Sequence, residues 1–336
     1  MPSRQKISLI EIADRKNLAH AVYLAAKGKR FRFSLQQYLG HLDHHLGELS
    51  DAILSESYVP EPFRELIVHD PKRRIIHAPT FRDRVLHHAL VLQIGPQIER
   101  TLVDDSFACR LGKGTIAAVL RAQHFSRRAP WFVKVDISKY FHNIDHELLI
   151  QRLTRRFKGP AFLRLIDRLI GSFQSTPGKG LPIGALTSQY FANLYLNDAD
   201  RWLVARRDVL GMVRYMDDLI CWAPDKISAR RIFQELQEFL DEQLKLVLKP
   251  GSQLNRAEQG VTFCGLRIFP GIIRLTTRRK KRYRAACRRW ERHFLLGKLS
   301  ANGLQDRFAS AFSMVKHANA VEWRRRRLGE HAVDEI

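Results

Sequence analysis

The sequence predicts an α+β protein in which an antiparallel sheet is backed by helices and followed by a strongly basic helical segment. Three observations predict it. Short β-prone runs alternate with helix-length amphipathic runs through residues 131–250. Two carboxylates sit at the tight end of an apolar hairpin, Val213-Arg-Tyr-Met-Asp217-Asp218-Leu-Ile220. From Thr276 onward the composition shifts to Lys and Arg at helical spacing.

Taken in order, Asn17 to Ala26 puts apolar groups on one stripe, and Lys27-Gly28-Lys29-Arg30 breaks it. A second helical run follows from Ser34 to Leu54. Glu65–Asp70 reads as a strand, Pro71–Arg74 as a basic turn and Ile75–Ala78 as the return strand. Phe81–Ile94 resumes a helical period. The glycine-punctuated loop Ser106–Gly114 feeds a helix from Thr115 to about Phe125. Residues 131–137 form a strand that places Phe132, Lys134 and Asp136 on one face. Helical runs follow at His146–Lys158, Ala161–Phe173 and Ala185–Trp202, with an irregular glycine-rich stretch at 178–184. The aspartate hairpin spans 211–223. Ile227–Leu244 is a helix closing on a strand, Leu246–Lys249. Val261–Ile268 and Ile272–Leu275 suggest another hairpin. A basic helix at 278–292 has Tyr283, Cys287, Trp290 and Phe294 as its apolar side, and a second helix covers about Leu304–Asn319.

The chain has 336 residues, 45% of them hydrophobic, enough for a sizeable core. Its formal net charge is +23, from 57 Lys and Arg against 34 Asp and Glu. That excess predicts a polyanionic partner, nucleic acid before an anionic membrane surface or an acidic protein. The four cysteines, Cys109, Cys221, Cys264 and Cys287, lack the paired spacing of a zinc ribbon. They fit reduced thiols, and with no signal peptide and no 18-residue apolar run they predict a cytoplasmic protein that does not enter a membrane. The Lys27–Arg32 cluster reads equally as a phosphate contact and as a solvated surface.

Adjacent carboxylates repel unless positive charge lies between or beside them. A divalent Mg²⁺ or Mn²⁺ suits such hard oxygen ligands. Asp136 ends a strand with similar surroundings. Asp136, Asp217 and Asp218 on neighbouring strand ends would build a two-metal site for phosphoryl or nucleotidyl transfer. A lone Asp-Asp would otherwise be a solvated turn.

The order of these segments resembles the reverse transcriptase family, in particular the prokaryotic branch related to group II intron enzymes. Four phrases carry the resemblance. They are Tyr215-Met216-Asp217-Asp218, Asp136 with Phe141 five positions later, Ser188-Gln189 with Ala192-Asn193 after Gly184, and Phe263-Cys264-Gly265. The match covers roughly residues 17–320. It implies a right-hand polymerase fold with fingers and N-terminal helices over 1–130 and a palm over 131–268 that includes residual fingers elements at about 150–180. A basic helical thumb would follow over 269–336. It implies an RNA-directed DNA polymerase that uses dNTPs and two Mg²⁺ ions, with Asp136, Asp217 and Asp218 as catalytic and metal residues and the Ile137 carbonyl as a further ligand. Lys72 and Arg74, or equally Arg73, would hold the triphosphate, and Lys249 would assist the leaving pyrophosphate. Phe141 would be the steric gate against a 2′-hydroxyl, or else a plain core residue. Arg82 and Arg84 would bind template backbone or pair internally. Arg110, Phe263, Gly265, Arg278, Lys281, Arg282 and Arg289 would contact template and primer.

A narrower resemblance lies in Leu181-Pro-Ile183-Gly184-Ala-Leu-Thr-Ser188-Gln189. Most reverse transcriptases carry Gln-Gly and Ser-Pro there, whereas Ile-Gly and Ser-Gln are similar to the enzymes of diversity-generating retroelements. Those enzymes copy a template-repeat RNA with errors opposite adenine. This implies that Ile183 lies at the nucleotide and that Gln189 helps bind the nucleotide or its template base, or else shapes the helix. It also implies low fidelity, an RNA/DNA hybrid as ligand and a small basic accessory protein forming an oligomeric ring. The alternatives are a group II-like or antiviral-defence reverse transcriptase, or a non-catalytic RNA-binding protein of the same fold.

Overall fold

The computed structural model describes residues 4–28, 33–69, 73–313 and 315–329. Within it the chain forms two compact units, each assembled from three separate segments. The first comprises residues 1–104, 137–202 and 236–249, and the second 105–136, 203–235 and 250–336. No described helix is long and apolar enough to cross a membrane.

The first unit is mainly helical. Arg15–Ala26 and Phe81–Thr101 pack against each other, and Leu42–Leu54 covers the helix Leu9–Ala13. Leu18, Val22, Leu49, Val85, Leu86 and Leu90 supply the buried stripes. The Phe81–Thr101 helix outruns its predicted end at Ile94 and continues past Pro96. The hairpin Arg64–His69 with Arg73–Ala78 pairs antiparallel, Ile67 opposite Ile75. Helix His146–Thr154 stops short of the predicted Lys158, because Phe157–Lys158 forms a parallel pair with Gln5–Lys6.

The predicted strand Leu246–Lys249 is absent as a strand. Lys245 is left-handed (φ 51°), and the Leu246 amide donates to the Leu240 carbonyl at 2.9 Å, closing the preceding helix. Ser138 donates to the Val247 carbonyl at 2.8 Å, and only Leu248 makes a bridge, to Ile137. Lys245 is anchored by an ion pair to Asp145 at 2.8 Å. These bonds leave no room for a continuous ladder.

His87, inside the Phe81–Thr101 helix, is 4% exposed and shares a 2.9 Å hydrogen bond with the Thr187 hydroxyl. Burial pushes its pKa down to about 4, with His88 and Arg84 adding to the effect. The unfolded chain takes up a proton near pH 6.5 that the folded chain resists. Stability is therefore complete above 6.5 and is lost as pH falls from there toward 4, by roughly 3 kcal/mol at the lower end. Urea unfolding between pH 7 and 4.5 should show this loss, and His87→Gln should flatten that dependence. An unchanged pH profile in the variant would refute the assignment.

The second unit holds a four-stranded antiparallel sheet in the order Gly211–Tyr215, Asp218–Ala223, Trp131–Asp136, Gln253–Arg256. The last strand takes the edge where the sequence suggests Leu246–Lys249. Helix Thr115–Arg128 packs on the sheet, and a three-stranded meander (Val261–Phe263, Leu266–Ile268, Ile273–Leu275) continues the core. Phe125, Phe132, Trp222 and Phe263 are its large buried rings. A Cβ at Gly211 would lie 2.1 Å from the Phe125 ring, so the strand comes against the helix only with glycine there. Helices Thr277–Leu295 and Ala301–Ser313 pack on each other, and Val321–Gly329 is a third helix that the sequence reading does not separate. The four cysteines are free thiols.

Candidate active site

The aspartate hairpin forms as the alternation of apolar residues demands. Met212 and Val213 are buried, Tyr215 pairs with Asp218, and the turn is made by Met216 and Asp217. Met216 takes a left-handed conformation (φ 59°), unfavourable for a residue with a Cβ. Arg214 compensates. Its side chain is fully buried, and its guanidinium donates to the Met216 carbonyl at 3.0 Å. The same residue is tied through its backbone to Asp105 and Phe107 at 2.9 Å each.

Register decides which carboxylates meet. Asp136 lies directly opposite Asp218 on the neighbouring strand, so the two side chains share a face. Lys134, two residues before Asp136, lies on that face, and its ammonium sits 3.2 Å from Asp218 Oδ1. Burial pushes the Asp218 carboxyl up to about 6, with Asp136 and Asp217 adding to the shift and Lys134 opposing it. Among the described residues no group of three or more His, Cys, Asp or Glu side chains is placed to hold a metal ion. In the expected three-carboxylate site, Asp136 and Asp218 form the facing pair, Asp218 lies against Lys134, and Asp217 stands at the turn. The donors of this site are carboxylate oxygens, the chemistry a hard divalent cation prefers. Lys134 is the residue that sequence reading placed on the right face without assigning it a role.

Phe263 is a core residue, 1% exposed. The following turn is exposed at Gly265 (φ 75°), where a Cβ would fall 2.8 Å from Arg279 Nε. Arg279 donates to the Cys264 carbonyl at 2.9 Å and so fixes the turn to the basic helix. Arg278, Lys281, Arg282 and Arg289 are exposed on that helix. Arg289 and Arg307 lie over the Trp290 ring at 4.1 and 4.8 Å, beside a cleft of about 480 Å³ that Arg282 also lines. Arg110 donates to the Ser106 carbonyl at 2.7 Å.

In the first unit a different group of residues converges. Leu181 donates to the Phe141 carbonyl, and His77 donates to the Ile183 carbonyl, both at 2.7 Å. Gly184 (φ 133°) allows this approach, since a Cβ there would lie 2.8 Å from the His77 carbonyl oxygen. Arg74, His77, His142, Phe173 and Ile183 line a cavity of about 660 Å³. His77 packs edge-on against Phe173 and lies 3.6 Å from the Glu65 carboxylate. Burial holds His142 below the usual histidine range, with His77 and Lys139 adding to the effect. Phe141 and Gln189 are half-buried, Ile137 is buried, and Lys72 lies outside the described residues. Arg73 is exposed at the start of the return strand and lines the same cavity. Arg82 makes internal contacts: an ion pair to Glu61 at 3.8 Å, a bond to the Val59 carbonyl and a position 4.8 Å above the Tyr58 ring. Arg84 reaches the Pro79 carbonyl at 3.5 Å. The two histidines are among the cavity residues that sequence reading missed, since isolated histidines give no periodic signal.

Residues 69–267 match the family model described as reverse transcriptase (RNA-dependent DNA polymerase). Protein YkfC of Escherichia coli is 27% identical over 172 residues, covering 47% of this chain and 45% of that protein. The group II intron-encoded protein LtrA of Lactococcus lactis is 25% identical over 175 residues, covering 49% of this chain and 29% of LtrA. The chain thus aligns with less than half the length of these relatives. Among solved structures, telomerase from Candida albicans in complex with a telomeric RNA fragment aligns at 12% identity and a TM-score of 0.48. That alignment covers 76% of this chain and 53% of the telomerase chain. The family match takes in the strand ending at Asp136, the aspartate hairpin and the Ile183 loop, and it spans more than half of the sequence. The chain belongs to the reverse transcriptase (RNA-dependent DNA polymerase) family, with the α+β right-hand polymerase fold of that family.

Proposed function

We propose that the protein is an RNA-directed DNA polymerase making error-prone cDNA from the template-repeat RNA of a diversity-generating retroelement. One observation carries the finer part of this reading. Ile183, where most of the family has a hydrogen-bonding Gln, lines the cavity that Arg74 also lines. Isoleucine offers no donor or acceptor. A contact that would favour the correct nucleotide is then missing, and fidelity is a difference between transition-state energies.

Asp136 and Asp217 hold a divalent cation in this reading, with the Ile137 carbonyl as a further ligand, and Asp218 acts as an electrostatic neighbour bound to Lys134. When bound, Mg²⁺ or Mn²⁺ supplies charge neutralisation at the triphosphate and activation of the 3′-hydroxyl. Arg74, with Lys72 or Arg73, holds triphosphate oxygens. The exposed cations of the 277–295 helix hold phosphates of the RNA/DNA hybrid without reading sequence. A small basic accessory protein in a ring belongs to the same reading, bridged to this basic chain by RNA, as does a cytoplasmic location.

Ile183→Gln should lower misincorporation opposite template adenine about tenfold, the equivalent of one restored hydrogen bond. Sequencing of cDNA made on a defined RNA template measures this, and an unchanged error spectrum would count against the role of Ile183. Phe141→Val should raise ribonucleotide incorporation by removing volume beneath the sugar. If the preference for dNTP over rNTP stays at the wild-type ratio in single-nucleotide extension, Phe141 is a packing residue.

The similarity to LtrA favours a second reading, a group II-like enzyme with another template. Sequencing the cDNA made on co-purified RNA separates the two. Adenine-biased errors support the first, and uniform, rare errors the second.

A further inference from the structure

The catalytic sheet carries a second basic and aromatic surface at the end of its 131–136 strand opposite Asp136. Trp131 opens that strand and is half-buried. Arg256 is its cross-strand partner, and Lys226 begins the helix Lys226–Leu244. The charged groups of both lie 5.8 Å from the indole centroid. Beside the indole is a cleft of about 510 Å³ walled by Arg127, Arg128, Trp131, Arg256, Glu258 and Pro270. Arg127 is fixed at its rim, because its Nε donates to the Pro270 carbonyl at 2.7 Å. The neighbouring Phe269 has its own pair of cations, Arg267 at 5.6 Å and Arg274 at 5.3 Å from its ring.

Four cations therefore lie over two rings, and Arg127 and Arg128 line the cleft beside the indole, six in all. The cleft's acid, Glu258, lies 3.3 Å from Arg256. Arg127 and Arg128 also complement the C-terminal dipole of the helix Thr115–Arg128, which accounts for two of the six. It does not account for an indole flanked by cations from a strand and a separate helix. From Trp131 to Asp136 the strand climbs five residues, roughly 17 Å at about 3.3 Å each. The cleft is thus separate from the reacting end.

We propose that this cleft binds single-stranded RNA, holding a segment of the bound RNA away from the site of polymerisation. One base stacks on the open part of Trp131, and the flanking phosphates lie on Arg127, Arg128 and Arg256. Stacking on an indole requires an unstacked base, and that favours a single strand over a duplex. The inference rests on membership of the reverse transcriptase family. It is independent of which template the enzyme copies.

The test uses the full chain saturated with an excess of short unlabelled RNA/DNA hybrid. Binding of a fluorescein-labelled oligouridine of roughly twenty nucleotides is then read by anisotropy across a salt series. The Arg127→Gln/Arg128→Gln/Arg256→Gln variant should bind at least about tenfold more weakly, with a log–log salt slope shallower by about 2, at roughly 0.7 per phosphate. Trp131→Leu should weaken binding about fivefold or more with an unchanged slope, and Trp131→Phe should restore most of it. Extension of the short hybrid should stay within about twofold of wild type in all variants. Wild-type binding by the variants, or no binding by the wild type once the hybrid is in place, overturns the proposal. So does loss of extension in parallel with loss of binding. Cross-linking of 4-thiouridine RNA to the wild-type protein gives an answer that needs no variant. Adducts at 127–131 or 256 support the site, and adducts confined to other segments reject it.

Discussion

Asp217→Asn is expected to lower primer extension on the order of a thousandfold, about 4 kcal/mol of activation barrier. The amide keeps the shape of the turn but removes the charge that would hold a divalent cation. Asp136→Asn should have a similar effect. Asp218→Asn should cost much less, because the Asp218 carboxylate is committed to Lys134 at 3.2 Å and stands opposite Asp136 in the ladder. Single-turnover extension with Mg²⁺, an RNA template and a DNA primer measures all three. The assignment fails if Asp136→Asn or Asp217→Asn extends within tenfold of wild type. It also fails if Asp218 proves the most sensitive of the three.

Arg214→Leu is expected to destabilise the protein by about 1.5–3 kcal/mol, the range for losing a hydrogen bond from a charged donor. The Arg214 side chain is fully buried, and its guanidinium caps the Met216 carbonyl. Without it a left-handed methionine at φ 59° keeps its backbone strain and loses its donor. The turn carrying Asp217 should loosen as well, so activity should fall further than stability alone explains. Arg214→Lys should recover little, since an ammonium lacks the planar fork. Denaturant unfolding followed by tryptophan fluorescence gives the shift. A midpoint equal to wild type for Arg214→Leu would refute the role.

The aspartate hairpin and the basic hairpin of 64–78 were readable in advance, because both are local. Alternating apolar residues and a tight polar turn specify them within about a dozen positions. The Ile183-Gly184 step was readable as a departure from a pattern. Its reason was not, because the close approach of the His77 carbonyl comes from more than a hundred residues away in sequence. Reading Leu246–Lys249 as a strand followed its β-prone composition. The structure instead uses those backbone groups to close a helix and to meet Ser138, and Gln253–Arg256, with little β-propensity, takes the sheet edge.

By itself the sequence determined the local elements, the excess of positive charge and the carboxylates at strand ends, because periodicity and turn chemistry act over a few neighbouring residues. Only the tertiary structure decided that Asp136 faces Asp218, that Lys134 neutralises one of them and that Arg214 holds the turn from within. Those pairings depend on the register between distant strands and on burial, which strengthens a charge contact that solvent would screen.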